Sequence, residues 1–315
     1  MSLEVIDANG LVTVQDAGRK GWRQFGVPGS GPMDIFALRA ANALVGNPIE
    51  YAAVEIGLGD VTFQAIQNCV IAITGAGYQL SIYIWEFPLW SSFFVRAGWK
   101  IRLNKINTGM WAYLAVAGGF QTQPVLDSRS TYLHGGFGGL EGRTLQAGDV
   151  IRTGVSSPLS YEFAARTLPE EARPNYDHHP VINVILGPQM NYFTKESIET
   201  FFSSEYSISL RSDRMGYRLE GPPLSHRGQT ELISEGLTFG AIQVPPNGQP
   251  IVMMADCPTT GGYPKIGTVA SADLPLIAQC MPGKSKIRFR QTTVAKAQNE
   301  FRSLRNGLDR IVEDE

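Results

Sequence analysis

Apolar residues in this chain come in short runs: Val70-Ile-Ala-Ile-Thr74, Leu114-Ala-Val-Ala117, Val181-Ile-Asn-Val-Ile-Leu186 and Pro250-Ile-Val-Met-Met254, each broken off by Gly, Pro or polar residues. Runs of that length predict strands. One segment carries the helical period instead. Across 32–46, Met33, Phe36, Ala37, Ala40, Ala41, Leu44 and Val45 recur at spacings of three and four, and Gly46-Asn47-Pro48 ends the pattern. A polar, helix-prone tail over 294–312 predicts a C-terminal helix. A helix inserted among strands either plugs one end of a barrel or meets a partner, and the pattern leaves both open.

A second pattern lies over the first. Gly21-Trp-Arg23 with Gly26-Val-Pro28 is echoed by Gly216-Tyr-Arg218 with Gly221-Pro-Pro223. Downstream, Glu55-Ile-Gly57 answers Glu235-Gly236, Thr74 to Tyr78 answers Thr259 to Tyr263, and Gly98 with Ile101-Arg102-Leu103 answers Gly283 with Ile287-Arg288-Phe289. The offset between copies shortens by about one helix early on and is steadier after that, which marks 32–46 as an insertion in the first copy. The expectation is two related, mainly β lobes: 1–165 with the helix at 32–46, a linker over 166–180, and 181–315 with the C-terminal helix. Ser156-Ser-Pro158 and Leu168-Pro-Glu-Glu-Ala-Arg-Pro174 suit a lobe boundary, being rich in Pro and charge.

Composition sharpens this picture. Glycine supplies 34 of 315 residues, above its usual share, as closed sheets with bulges and corners require. A net charge of −2 leaves no basic stripe for nucleic acid or an anionic membrane surface. No apolar run reaches the ~18 residues of a membrane span, and no signal peptide opens the chain, so a cytoplasmic protein is expected. Three widely spaced cysteines make no disulfide framework.

Four passages resemble the allophanate hydrolase subunit 2 family, the biotin-dependent carboxyltransferase-like proteins that include the C-type subunits of 5-oxoprolinase. They are Val14-Gln-Asp16-Ala-Gly18-Arg19 with Gly26-Val-Pro28-Gly-Ser30-Gly-Pro-Met33-Asp34; Ala117-Gly-Gly-Phe120 with Ser128-Arg-Ser-Thr131 and Gly135-Gly-Phe-Gly-Gly139; Ser212-Asp-Arg214-Met-Gly216-Tyr-Arg218-Leu219; and Gly240-Ala-Ile-Gln243-Val-Pro245 running through Asp256 to Thr259-Thr-Gly261-Gly262-Tyr263-Pro-Lys265. The resemblance implies cyclophilin-like β-barrel lobes and work in a complex with a subunit 1 (B-type) sister protein and a third subunit. It implies a hydrolase, active only within that complex, that opens the cyclic amide of 5-oxo-L-proline to L-glutamate with ATP. Two alternatives accompany it: the carboxyltransferase component of a biotin-dependent urea carboxylase, and a non-enzymatic antagonist of a kinase inhibitor. Biotin enters only under the first of these, and the chain carries no Ala-Met-Lys-Met attachment segment. Asp127 and Cys257 depart from the family's usual residues.

Opening an unactivated lactam calls for cations on developing oxyanions, a carboxylate to position water or take a proton, and donors for the substrate carboxylate. The loops offer a catalytic set, Asp256, Lys265, Arg214, Tyr263 and Glu235, and a substrate-contacting set, Asp16, Arg19, Ser30, Asp34, Arg218, Thr259, Gly261 and Gly262. Carboxyl transfer would use similar groups. Structural rivals stand beside each: Asp16 and Arg19 can pair across a turn, Arg214 and Arg218 can enter buried ion pairs, and Gly261-Gly262 can be a corner. Asp256 ends an apolar strand, where a charge must be paired or sit in a cleft. No metal site is expected: His178-His179 point opposite ways on extended chain. Gly283-Lys284-Ser285 lacks the first glycine of a phosphate loop, since position 278 is Ala. Gly135 to Arg143 reads as a flexible corner or lid, and Cys257 as a small packed side chain.

Overall fold

The structure, a computed structural model, describes residues 2–106, 108–156 and 158–313. Ser157, within the expected boundary, and the extreme ends of the expected lobes lie outside the described residues. The chain divides into two compact units: 1–20, 30–173 and 306–315 form one, and 21–29 with 174–305 form the other.

In the first unit the strands are β1 (Ser2–Ala8), β2 (Leu11–Gln15), β3 (Ala53–Gly57), β4 (Val61–Ala65), β5 (Cys69–Gly75), β6 (Tyr78–Ile82), β7 (Trp85–Phe87), β8 (Ser91–Val95), β9 (Lys100–Lys105), β10 (Trp111–Val116) and β11 (Val150–Arg152), with helix α1 (Ile35–Leu44). They make two antiparallel sheets, ordered β11-β1-β4-β9-β6-β7 and β2-β3-β10-β5-β8. Val5, Phe63, Leu80 and Leu103 of one sheet share a core with Val54, Ile56, Ile71, Ile73 and Leu114 of the other. Helix α1 packs on β5 and β10, where Thr74 Oγ1 donates to Ala37 O over 2.6 Å. With both faces covered, every residue of β5 and β10 is buried. That is why 70–74 and 114–117 read as unbroken apolar runs and not as alternation.

The inserted helix is a core element. Its N-cap is Asp34, whose Oδ1 accepts from Ala37 N–H at 2.9 Å, satisfying a donor the helix leaves open. It ends at Gly46, which has φ +70° and no room for a Cβ against the Phe163 ring. Alanines let it lie close to the sheet, and Phe36 to Leu44 are buried apart from Arg39. It plugs the sheet and offers little surface to a partner.

In the second unit, β12 (Val181–Leu186), β13 (Glu205–Ile208), β14 (Gly216–Glu220), β16 (Ala241–Gln243), β17 (Ile251–Met253), β19 (Lys265–Val269) and β20 (Lys286–Gln291) close into a barrel ordered β12-β19-β16-β17-β14-β13-β20, and β15 (Glu235–Gly236) pairs with β18 (Thr260–Gly261) as a separate two-stranded ribbon. Neighbouring barrel strands are antiparallel except β12 and β20, which run parallel. Helix α2 (Lys195–Ser203) covers β20 by stacking Phe201 on Phe289, ring centroids 4.4 Å apart. Helix α3 (Leu274–Ala278) is tied to β14, since Tyr217 Oη donates to Ala278 O at 3.0 Å. The C-terminal helix α4 (Val294–Glu313) is present as expected, with residues up to 305 grouped with this unit and those after it with the first.

The mainly β expectation holds, with one lobe a closed barrel; the other is two open sheets. Three details differ from the sequence reading. Helices α2 and α3 had no clear signal: α2 is short, and α3 begins at Leu274-Pro275. The echo survives only in places. Gly98 and Gly283 both take positive φ just ahead of β9 and β20, with Ile101 and Leu103, like Ile287 and Phe289, turned inward. Gly21, in contrast, is a turn residue of the second unit whereas Gly216 opens β14, so those two are not equivalent. Finally, 166–173 is no free linker. Ser92 N–H donates to Arg166 O and Leu168 N–H to Trp90 O, both at 2.9 Å, and Leu168 is fully buried. A Pro-rich, charged segment looked unstructured because its hydrogen-bond partners lie on or beside β8, far back in the chain.

Candidate functional site

The predicted residues fall into two groups, one in each unit. In the first unit, Asp16 follows β2. Its Oδ1 accepts from Gly18 N–H at 2.9 Å and from Ser128 Oγ and Ser130 Oγ at 2.6 Å each, and its Oδ2 accepts from Arg129 N–H. The carboxylate thus staples two loops. Arg19 is buried, donating to Val125 O at 3.2 Å and to Ser130 O, and lies over the Phe137 ring at 4.7 Å. Ser30 has φ +52° and a buried Oγ that finds no hydrogen-bond partner among the described residues. Asp34 is the buried helix cap. Its N–H donates to Tyr113 Oη at 2.8 Å, and that hydroxyl donates to Glu55 Oε2 at 2.7 Å; burial and the Glu55 charge push the Tyr113 phenol well above its ordinary range. Of the four, Asp16, Arg19 and Asp34 are committed to holding loops and a helix. The glycine run beside them is a packed corner: Gly139 N–H donates to Arg129 O, and a Cβ on Gly138 would strike Ser130 O.

The second unit brings together most of its predicted residues. Asp213 Oδ1 accepts from Met215 and Gly216 N–H, a turn that launches β14 and sends Arg214 inward. Arg214 Nε and Nη2 donate to Asp256 Oδ2 and Oδ1 at 2.8 and 3.1 Å. The two side chains are 5% and 2% exposed, so this is a sealed bidentate pair. It anchors the start of the loop that carries the remaining candidates. Cys257 is next, buried, with its thiol pushed up by burial and partly offset by the Arg23 guanidinium.

Arg23, absent from the candidates drawn from sequence, belongs here. It donates to Pro258 O at 3.1 Å and to Leu237 O, clamping the 21–29 segment to both sides of the β15–β18 ribbon. Within that ribbon Glu235 pairs with Gly261 and Gly236 with Thr260, and Leu237 N–H donates to Thr259 O at 2.9 Å. A Cβ on Gly261 would come within 2.6 Å of Gln243 Nε2 and 2.7 Å of Leu237 Cδ1. Gly262 O accepts from Leu232 N–H at 2.7 Å. Tyr263 is 37% exposed, and its carbonyl accepts from Gln243 Nε2 at 3.1 Å. A side chain at 261 would have to displace the Gln243 amide and the Leu237 methyl.

Lys265 opens β19 and pairs with Glu235, Nζ to Oε2 at 2.9 Å; the side chains are 14% and 53% exposed. The ammonium, and a further hydrogen bond from Gln189, hold the Glu235 carboxyl below its ordinary value. Here a half-exposed carboxylate is paired with a largely covered ammonium, at the end of a loop that also carries an exposed tyrosine and two glycines. Such a set can accept a proton and stabilise an oxyanion. Arg218 is not drawn in: it is exposed on β14 between inward Tyr217 and Leu219. Gln189 and Gln243 carried no signal of their own, since glutamine has no titration or charge pattern, whereas Arg23 sat in the Gly-aromatic-Arg motif. Among the described residues, no cluster of three or more His, Cys, Asp or Glu could hold a metal ion.

Residues 25–291 match the family described as carboxyltransferase domain, subdomain A and B, and the chain belongs to that family. It is 37% identical to the C-type subunit of 5-oxoprolinase from Haemophilus influenzae over 98% of this chain and 97% of that protein. It is 40% identical to the Escherichia coli protein of the same name over 94% and 93%. The crystal structure of Kluyveromyces lactis urea carboxylase superposes with a TM-score of 0.92 at 29% identity, covering 98% of this chain but only 29% of that one.

Proposed function

We propose that this chain is the C-type subunit of an ATP-dependent 5-oxoprolinase, acting with a B-type sister protein and a third subunit to open 5-oxo-L-proline to L-glutamate. The observation that carries this reading is the end-to-end likeness to two proteins that bear the name of the C-type 5-oxoprolinase subunit. In the urea-carboxylase relative the likeness covers only a part of a much longer protein.

Under this reading the second-unit rim meets the lactam. Glu235 orients water or takes its proton, Lys265 and the Tyr263 hydroxyl face the developing oxyanion, and the Gly261-Gly262 backbone lets the flat ring approach closely. Arg214 and Asp256 hold the loop in place from beneath. ATP serves as co-substrate of the whole complex, supplying a phosphoryl group that activates the amide oxygen.

The test is reconstitution. Glutamate formation from 5-oxoproline and ATP should need this chain together with its companion subunits; full activity in a complex lacking it would favour a regulatory role instead. Carboxyl transfer is the second reading, favoured by the family's description and the barrel's likeness to urea carboxylase. It requires bicarbonate and a biotinylated partner. Avidin should leave the reaction unchanged, and inhibition by avidin would reverse the ranking.

A further inference from the structure

We propose that Gln189 is a positioning residue that orders the Glu235–Lys265 pair and decides which Glu235 oxygen is presented for chemistry. The inference takes the location of the site from the reading above, and it does not depend on which amide is opened.

Gln189 follows β12 and is buried. The chain reaches it by running against β19: Gly187 N–H donates to Ile266 O at 2.9 Å, and a Cβ on Gly187 would lie 2.9 Å from Lys265 O. Both ends of the Gln189 amide are then used. Oε1 accepts from the Lys265 backbone N–H at 2.8 Å, and Nε2 donates to Glu235 Oε2 at 2.6 Å. The orientation of the amide follows from its partners. A backbone N–H can only donate, so the oxygen must face Lys265, and the NH2 group is left for the carboxylate.

An ion pair between a half-exposed glutamate and a lysine is ordinarily weak and mobile. Here a buried neutral group grips the main chain of one partner and the carboxylate of the other. Oε2 therefore takes two hydrogen bonds, from Lys265 Nζ and Gln189 Nε2. Among the described residues Oε1 takes none, so it remains the oxygen able to accept from water or substrate. Lys265 is the charged group set against Glu235, and Gln189 is neutral, so both favour the ionised carboxylate.

The experiment is a pair of substitutions read in two ways. Gln189→Glu keeps an acceptor for the Lys265 N–H but sets an anion against Glu235; Gln189→Met fills the space and makes neither bond. The Glu235 side-chain carboxyl carbon, assigned with Glu235→Gln, is titrated by NMR in the full-length chain, with circular dichroism confirming the fold. Its apparent pKa is expected to rise in both variants, more in Gln189→Glu. In the reconstituted complex the acid limb of kcat/KM should move up in parallel, with a fall of roughly 10- to 100-fold at neutral pH, the scale of a small misplacement of a reacting group. An unchanged Glu235 titration in both folded variants overturns the proposal, as does a shifted titration with a wild-type rate profile. A wild-type complex inert towards 5-oxoproline would instead sink the substrate reading, and the titration alone would then decide whether Gln189 positions the pair.

Discussion

Two carboxylate–cation pairs in the second unit, Arg214–Asp256 and Lys265–Glu235, look alike in sequence and differ in almost everything physical. The first is bidentate and only 5% and 2% exposed; the second is a single contact, 14% and 53% exposed. A sealed pair has no geometry left for a substrate, and its worth lies in what breaking it would cost. The open pair contributes little to folding but has a cation, a spare carboxylate oxygen and solvent access. On the proposed reading chemistry falls to the second pair and architecture to the first, although Asp256 is the more conspicuous residue in the sequence.

The largest effect expected from this contrast is on stability. Asp256→Asn removes the carboxylate charge from a buried bidentate pair, and breaking a pair of that kind costs about 3–5 kcal/mol; denaturant melts of the full chain should show it, and a loss under about 1 kcal/mol would mean the pair is not sealed. Glu235→Gln should do the opposite, leaving the melt unchanged while turnover of the reconstituted complex drops about 100-fold or more, as for loss of a group that acts only in the transition state. Near-normal turnover there would remove Glu235 from the chemistry. Next comes Gly261→Ala, whose Cβ would press on Gln243 and Leu237. Overpacking of that sort costs roughly 1–3 kcal/mol, and calorimetry of the variant checks it; a neutral result would show that the ribbon can give way.

The smallest effect is on pH dependence. Because the folded Glu235 carboxyl lies below its ordinary value of 4.5, the stabilisation from this pair is present in full above that value and fades only as pH falls through the lowered one. The acid limb of activity should accordingly sit below pH 4.5 if Glu235 acts ionised, and should move up in Lys265→Ala. A limb that stays put in that variant would show that some other group sets it.

Much of the framework was legible in the sequence alone. The helix at 32–46 declared itself through its period, and the short apolar runs became β5, β10, β12 and β17. The loop from Asp256 to Lys265 was recognisable as a unit. Several assignments of individual residues were not. Asp16, Arg19 and Asp34 are of the types a site would use, yet their hydrogen bonds go to loops and a helix end. Arg23 was hidden because a segment near the start of the chain is grouped with the second unit. Gln189 was invisible because an uncharged amide carries no pattern.

Local periodicity and turn chemistry determined the strands at the apolar runs, α1, α4 and the mainly β class, because each depends on residues a few positions apart; the family followed from the resemblance of four motif passages. Tertiary structure alone decided that one unit closes as a barrel while the other stays as two sheets, and that 166–173 is pinned beside β8. It alone decided which carboxylate is sealed and which is open. Those outcomes depend on partners far away in the chain, 42 residues for Arg214 and Asp256 and 76 for Gln189 and Lys265. A charge's solvent exposure, and with it the balance between structural and chemical use, is set only when such distant segments pack.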